Sequence, residues 1–342
     1  MSPIKHKFSL KQVAGLFALF AATQSCAQSG ALVYGLIDLS AAQLQAAGAT
    51  KVKQLASGSM TTSFLGFRGR EDLGDGLAAY FVLESYMRPD TGESGRFGGD
   101  PFFARNAYLG LSSPSWGSIE LGRNTTPLFV TTLRFNAFGP SIGFSPSMRH
   151  WVSGAAGIII GDTSWNDSIR YNSPKFANMS VSVMTNAGEG KATSVGSNAT
   201  AQVLFDQGPL SAAVVWQSVK NATSTLPTGF DHQDAWQANV SYDFSVVKVF
   251  GQYGRVQQRA AVDRLTKLTD MGVKIPVGLG AILVGYGQAS NSGAATNVRK
   301  TASLGYDYNL SKRTDIYAVY MNDKNSNVAN GNSFAVGMRH TF

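Results

Sequence analysis

The sequence predicts an all-β fold, a transmembrane antiparallel up-and-down β-barrel of 16 strands with an inward-folded third extracellular loop. Three observations carry that prediction. Apolar residues recur with period two along most of the chain. Tight turns alternate with long polar connections. The composition is low in charge without being greasy: 15% of the 342 residues are charged and 37 are glycine, where a soluble domain carries about 25% charged residues and ~7% glycine. A mean hydropathy of −0.05 shows that the missing charge has not become apolar mass. Strands that place alternate residues on lipid and on a watery lumen give that average.

The N-terminal segment stands apart. Lys5, Lys7 and Lys11 precede the ten-residue apolar run Val13 to Ala22, and small residues flank Cys26 at Ser25 and Ala27. A basic start, a short apolar core and a small-residue cleavage site mark a secretory signal peptide over residues 1–27, cut after Ala27. Its removal leaves residues 28–342, a net charge of +5 rather than +8, and no cysteine. The absence of a free thiol suits an oxidising compartment.

Residues 28–342 then read as a single barrel. Alternation is clearest over 302–310, 315–320 and 334–342, where Leu304, Tyr306, Tyr308 and Leu310 lead into a Ser311-Lys312 turn. Similar segments occupy 31–40, 62–71, 77–86, 102–112, 117–124, 166–172, 177–186, 199–207, 209–219, 234–244, 245–257, 263–275 and 279–289. Membrane strands need ~9–11 residues, and bacterial barrels favour even strand numbers. Turns such as Gly74-Asp75-Gly76 and Gly208-Pro209 are short, whereas 41–61, 87–101, 187–198 and 220–233 are long and polar. Residues 125–165 break the rhythm with Pro127, Pro140, Pro146 and the run Gly157-Ile158-Ile159-Ile160. A loop of that length inside a barrel is expected to fold inward and narrow the lumen.

Other classes fit less well. A soluble β-sandwich would carry Lys and Glu on its edge strands, and the chain has few. No stretch reaches the ~18 apolar residues of a helical span. No His or Cys cluster has metal-ligand spacing, and Glu71 to Gly76 lacks the remaining ligands of a calcium loop. Dispersed Lys and Arg do not indicate nucleic acid. His150, His232 and His340 do not suggest an enzyme, and no catalytic residue, metal or cofactor is expected.

Several stretches, taken in order, make the chain resemble a known family. They are LVYGLIDLS at 32–40, LGFRGREDLGDGLAAYFVLE at 65–84, FFARNAYLGLSS at 102–113, GSIELGRNTTPL at 117–128, SIRYNSPKF at 168–176, LGYDYNLSKRTDIYAVY at 304–320 and VGMRHTF at 336–342. Together they are similar to the trimeric Gram-negative general porins, in particular the β-proteobacterial anion-preferring 16-stranded branch. The resemblance implies a water-filled outer-membrane channel for passive diffusion of small hydrophilic solutes and ions. It also implies a homotrimer in contact with outer-membrane lipid and lipopolysaccharide, with residues 125–165 as the constriction loop. The terminal Phe342 resembles the signal read by the outer-membrane assembly machinery.

Strand parity places Arg105 on the lumen side with Ala107 and Leu109, leaving Asn106, Tyr108 and Gly110 outward. Arg105 and Arg170 match family arginines that line the constriction, and Arg68 lies on the same face nearer the periplasmic turn. Glu84 is the wall acid with which such an arginine could simply pair. The family's further wall arginine falls here on Phe64. Family third loops usually carry acids opposite the arginines, but this one holds Arg134, Arg149 and His150 against the single acid Asp162. Rings of charged side chains set pore selectivity, so an anion-selective pore is expected. Arg123 falls on the outer face, where an arginine is costly, and is expected at the trimer interface, latching a neighbour's second loop at Asp90 or Glu93. Phe135, Phe138, Phe144 and Trp151 would form an aromatic slide if the channel were instead specific for a small sugar or organic anion.

Overall fold

The structure, a computed structural model, describes residues 30–152, 158–187, 198–220 and 226–342. The expected leader lies outside the described residues. Among the described residues the chain forms β1 (Leu32–Leu44), β2 (Val52–Ser57), β3 (Phe64–Gly74), β4 (Leu77–Arg88), β5 (Glu93–Ser94), β6 (Asn106–Ser113) and β7 (Gly117–Thr125). Two short helices follow, α1 (Pro127–Arg134) and α2 (Pro146–Trp151). Then come β8 (Ser164–Asn172), β9 (Met179–Asn186), β10 (Ala199–Gln207), β11 (Leu210–Val219), β12 (His232–Asp243) and β13 (Lys248–Arg259). The chain ends with β14 (Arg264–Val277), β15 (Gly280–Gly293), β16 (Asn297–Asn309), β17 (Thr314–Asn325) and β18 (Gly331–Thr341).

Sixteen of these strands close an antiparallel barrel in up-and-down order. β2 and β5 are extra pieces within the first two long loops. Closure occurs at β1, whose first residues pair with β3 (Leu32↔Arg68) and whose later ones pair with β18 (Leu36↔Thr341 to Gln43↔Phe334). Phe342 completes the seam. Its backbone exchanges hydrogen bonds with Gly35 at 3.1 and 3.2 Å, and a Cβ at Gly35 would lie 2.6 Å from the Phe342 ring.

Each predicted strand segment is found, with ends shifted by a few residues. The largest shifts are β16, which begins at Asn297 instead of 302, and β17, which ends at Asn325 instead of 320. The Gly74-Asp75-Gly76 turn uses φ of +88°, +53° and +78°, a left-handed run that glycine permits at both ends. Side chains such as Leu121, Ile169, Val214, Leu304 and Val336 are exposed on the outer face, as a wall against lipid requires.

The segment between β7 and β8 lies against inward-facing side chains of β10–β17. Gln202 donates to Thr131 Oγ1 at 2.5 Å, Gln252 donates to the carbonyls of Thr132 and Phe135 at 3.0 and 2.8 Å, and His150 Nε2 lies 2.9 Å from Thr301 Oγ1. Glycines make the seat. A Cβ at Gly254 would stand 2.5 Å from Trp151, one at Gly287 2.9 Å from His150, and one at Gly285 3.1 Å from Phe138. The glycine surplus therefore serves a smooth inner wall as well as the turns.

Candidate functional site

Two rows of cross-strand neighbours build the wall opposite that loop. The first runs Tyr34, Gly66, Glu84 and Asn106 across β1, β3, β4 and β6. Gly66 has no side chain, so Tyr34 lies flat across it and donates to Glu84 Oε1 at 2.7 Å. Asn106 donates to Oε2 at 2.5 Å, and Arg105 Nη1 pairs with the same oxygen at 2.5 Å. The second row runs Tyr80, Gly110, Glu120 and Arg170 across β4, β6, β7 and β8. Tyr80 crosses Gly110 to donate to Glu120 at 2.8 Å, and Arg170 clasps the same carboxylate at 2.6 Å. Both carboxylates are buried beneath their arginines. A buried charge left alone would be costly, so each arginine is held in place by the acid it covers.

The rows correct the parity expected for β6. Asn106, Tyr108 and Gly110 face the lumen with Glu84 and Glu120, while Leu109 is 61% exposed on the outer face. Arg105 still reaches the lumen wall because it occupies the bend before β6, outside the strand's alternation. Its guanidinium stacks 4.2 Å over the ring of Phe64. Phe64, at the position of the missing family arginine, thus supports the neighbouring one.

Arg68 faces the lumen and stacks 4.8 Å over Tyr34. Arg70, one step nearer the turn, donates to Ser112 at 3.1 Å. Lys248 and Lys274 stand directly opposite each other on β13 and β14, on the inner face below the loop. With Arg134 and Arg339 they line a cavity of about 300 Å³ whose lining includes one acid, Asp307, held by Arg339 at 2.6 Å. Among the described residues, no carboxylate lies within ion-pair distance of Arg68, Arg70, Lys248 or Lys274. The sequence reading missed Arg70, Lys248, Lys274 and Glu120. Alternation from Arg68 would have found Arg70, and alternation from Gln252 would have found Lys248.

The loop departs from expectation in three respects. Phe135, Phe138, Phe144 and Trp151 are buried against the wall, none more than 2% exposed, so they form no slide along the lumen. His150 is likewise buried, between Thr301 and Asp270, whose Oδ1 lies 3.6 Å away, and does not line the pore. Asp162 does not face the wall arginines; it binds Arg96 at 2.7 Å and Arg123 at 2.6 Å. Arg123 also donates to the Ala104 carbonyl and Asn166, both at 2.6 Å. It is therefore fastened to its own chain's second loop, through Asp162 and Arg96. Intrachain pairing removes the cost of a bare outward arginine.

Charge follows this packing. Burial pushes the Asp162 carboxyl up, but hydrogen bonds and charge from Arg96 and Arg123 outweigh it and hold the group below the usual carboxylate range. Asp100, similarly opposed by burial, is lowered by the side chain and backbone of Arg96. Arg149 is brought down to about 10 by burial and then by the like charge of Arg299, against the pull of Asp323. Arg134, exposed on the lumen side of α1, pairs with Asp206 at 2.5 Å.

The helices themselves follow local rules. Thr126 and Ser145 cap α1 and α2, accepting from Phe129 and Met148 backbone N–H groups, and Pro127 and Pro146 take the first helical turn. Such Thr-Pro and Ser-Pro starts signal helices, a signal in the sequence that the strand reading passed over.

Comparison with known proteins places this geometry. A family model described as Gram-negative porin matches residues 13–328. The chain is 31% identical over 321 residues to outer membrane porin protein 32 of Delftia acidovorans, covering 90% of this chain and 87% of that one. It is 27% identical to an outer membrane porin of Bordetella pertussis, with 84% of each chain covered. Among solved structures, an anion-selective porin from Comamonas acidovorans superposes with a TM-score of 0.78 at 26% identity, covering 92% of this chain and 99% of that one.

Proposed function

This chain belongs to the Gram-negative porin family and forms an outer-membrane channel, and we propose that its lumen selects anions by means of cations left without a wall acid. The observation that carries this reading is the set Arg68, Arg70, Lys248 and Lys274, which stand on the lumen face with no carboxylate in ion-pair range among the described residues. Arg105 and Arg170 contribute less than their charge suggests, because Glu84 and Glu120 sit beneath them. The inner loop presents Arg134 and no free acid, since Asp162 is engaged on the other side. Fixed positive charge on a watery wall raises local anion concentration and repels cations. The anion-selective porin similar to this chain supports the reading.

The reading is of a diffusion channel without catalysis. A homotrimer, export behind a leader cut near Ala27, and recognition of the Phe342 terminus by the assembly machinery complete it. Planar-bilayer reversal potentials in a salt gradient test the central claim. The expected sign is that of anion permeation, and a cation-selective potential overturns it.

A further inference from the structure

The outer wall carries a charge pattern that permeation does not use. Arg255 and Lys267 are direct register partners on β13 and β14, and Lys300 and Lys324 are direct partners on β16 and β17. All four are exposed. They alternate with buried inner residues and share parity with the outward Tyr253, Met271, Leu304 and Tyr320. Each lies within the last few residues at the end that bears the loops.

Like charges directly opposite one another destabilise a sheet, and nothing on this flank neutralises them. The acids of β13–β17 are Asp270, Asp307, Asp315 and Asp323, and all take the inner parity: Asp270 and Asp323 are buried, while Asp307 and Asp315 bind Arg339. The adjacent outward Arg259 is paired with Asp263, and Asp234 is taken by His232. No such cluster occurs elsewhere on the described wall. On the outer face of β1–β12 the strand Lys and Arg residues are Lys53, the one cation of β2, and Arg123, which Asp162 holds. Trp236 lies level with Arg255 as its register partner, and Tyr253, Tyr286, Tyr306 and Tyr320 lie below the cations, on the side away from the loops. Aromatic girdles of this kind mark the edge of the hydrocarbon layer.

We propose that Arg255, Lys267, Lys300 and Lys324 form a binding site for the phosphate-bearing headgroup of an outer-leaflet lipid. The patch spans four inter-strand gaps, about 19 Å at the usual strand spacing, wide enough for a headgroup with more than one phosphate. Its level above the aromatic residues matches the headgroup layer, where a lysine or arginine attracts anionic lipid. The long loops belong to the external side of such barrels, so the lipid it meets is that of the outer leaflet, lipopolysaccharide.

The test titrates the detergent-solubilised protein with phosphorylated lipopolysaccharide, with the same lipid after removal of its phosphates, and with inorganic phosphate, reading bound lipid by native mass spectrometry. The variant R255Q/K267Q/K300Q/K324Q is expected to bind the phosphorylated lipid on the order of a hundredfold more weakly. The wild type should lose a similar factor when the lipid loses its phosphates. K267R/K300R/K324R should bind like wild type, and all forms should keep wild-type conductance. A loss of under about threefold in the Gln variant overturns the proposal, as does equal binding of dephosphorylated lipid. Saturation of the patch by inorganic phosphate alone at micromolar concentration makes it a free-ion site and also overturns it. Loss of the oligomer in the Gln variant places the patch at a subunit contact instead. If the fourfold variant does not fold, R255Q/K267Q and K300Q/K324Q carry the same comparison.

Discussion

Tyr34 reaches Glu84 only because Gly66 lies between them. The three residues are cross-strand neighbours, and the tyrosine hydroxyl meets the carboxylate at 2.7 Å after its ring crosses the glycine. The same device recurs at Tyr80, Gly110 and Glu120, and again where Tyr317 crosses Gly337 to reach Asp38 at 2.5 Å. In each case a glycine in the sheet allows a long aromatic side chain to lie along the wall and deliver a hydroxyl to a buried acid.

Gly66→Ala is therefore expected to destabilise the barrel more than Tyr34→Phe. The new Cβ would stand 2.7 Å from the Tyr34 ring, which must lift off Glu84. Tyr34→Phe removes one donor and leaves the carboxylate with Asn106 and Arg105, a loss of about 1–2 kcal/mol. Thermal unfolding in detergent ranks the two. If Gly66→Ala melts with wild type, the crossing does not matter to stability.

Glu84→Gln should strengthen anion preference, because Arg105 keeps its seat on Phe64 while losing the charge that cancels it. Arg105→Glu should move the reversal potential toward cations. Each shift is expected to change the permeability ratio about two- to threefold at low salt, and to shrink as salt rises. A Glu84→Gln channel with wild-type selectivity removes this wall from the filter.

The inner loop is held by close packing, so Trp151→Ala should loosen it. Trp151 is buried beside Gly254 and packs with Leu128, Val215 and Leu268. Loss of such a side chain costs about 3–5 kcal/mol. Single-channel records should show fluctuating conductance where the wild type is steady. A quiet channel with an unchanged melting temperature would place the loop's anchorage elsewhere, at Gln252 and His150.

How far the sequence could be read depended on how local each cause was. Strand alternation is set residue by residue, so the barrel and its strand count were legible. Parity failed at Arg105 because a bend before β6 resets the alternation, and a bend of that kind has no period. The partners of Arg123, Asp162 and Glu120 lie on distant strands and loops, and only register brings them together. The buried loop aromatics looked available for a slide because nothing in their spacing reveals that Gly254, Gly285 and Gly305 lie opposite to receive them.

The clamp between the second loop and the inner loop should open in acid. Asp162 joins Arg96 to Arg123, and Asp100 accepts from the side chain and the backbone N–H of Arg96 at 2.9 Å. Both carboxyls are held below their ordinary value, which is about 3.9 for aspartate. A lowered carboxyl contributes its stabilisation in full above that ordinary value and loses it as pH falls through the depressed one. The clamp should thus be intact at neutral pH and release below about pH 4. Hydrogen exchange at the Arg96 amide should accelerate over that range while the β14–β17 amides stay protected. Asp162→Asn should show faster exchange already at neutral pH, with a flatter acid dependence. If exchange at Arg96 does not respond to acid in the wild type, the loops are joined by packing and not by these charges.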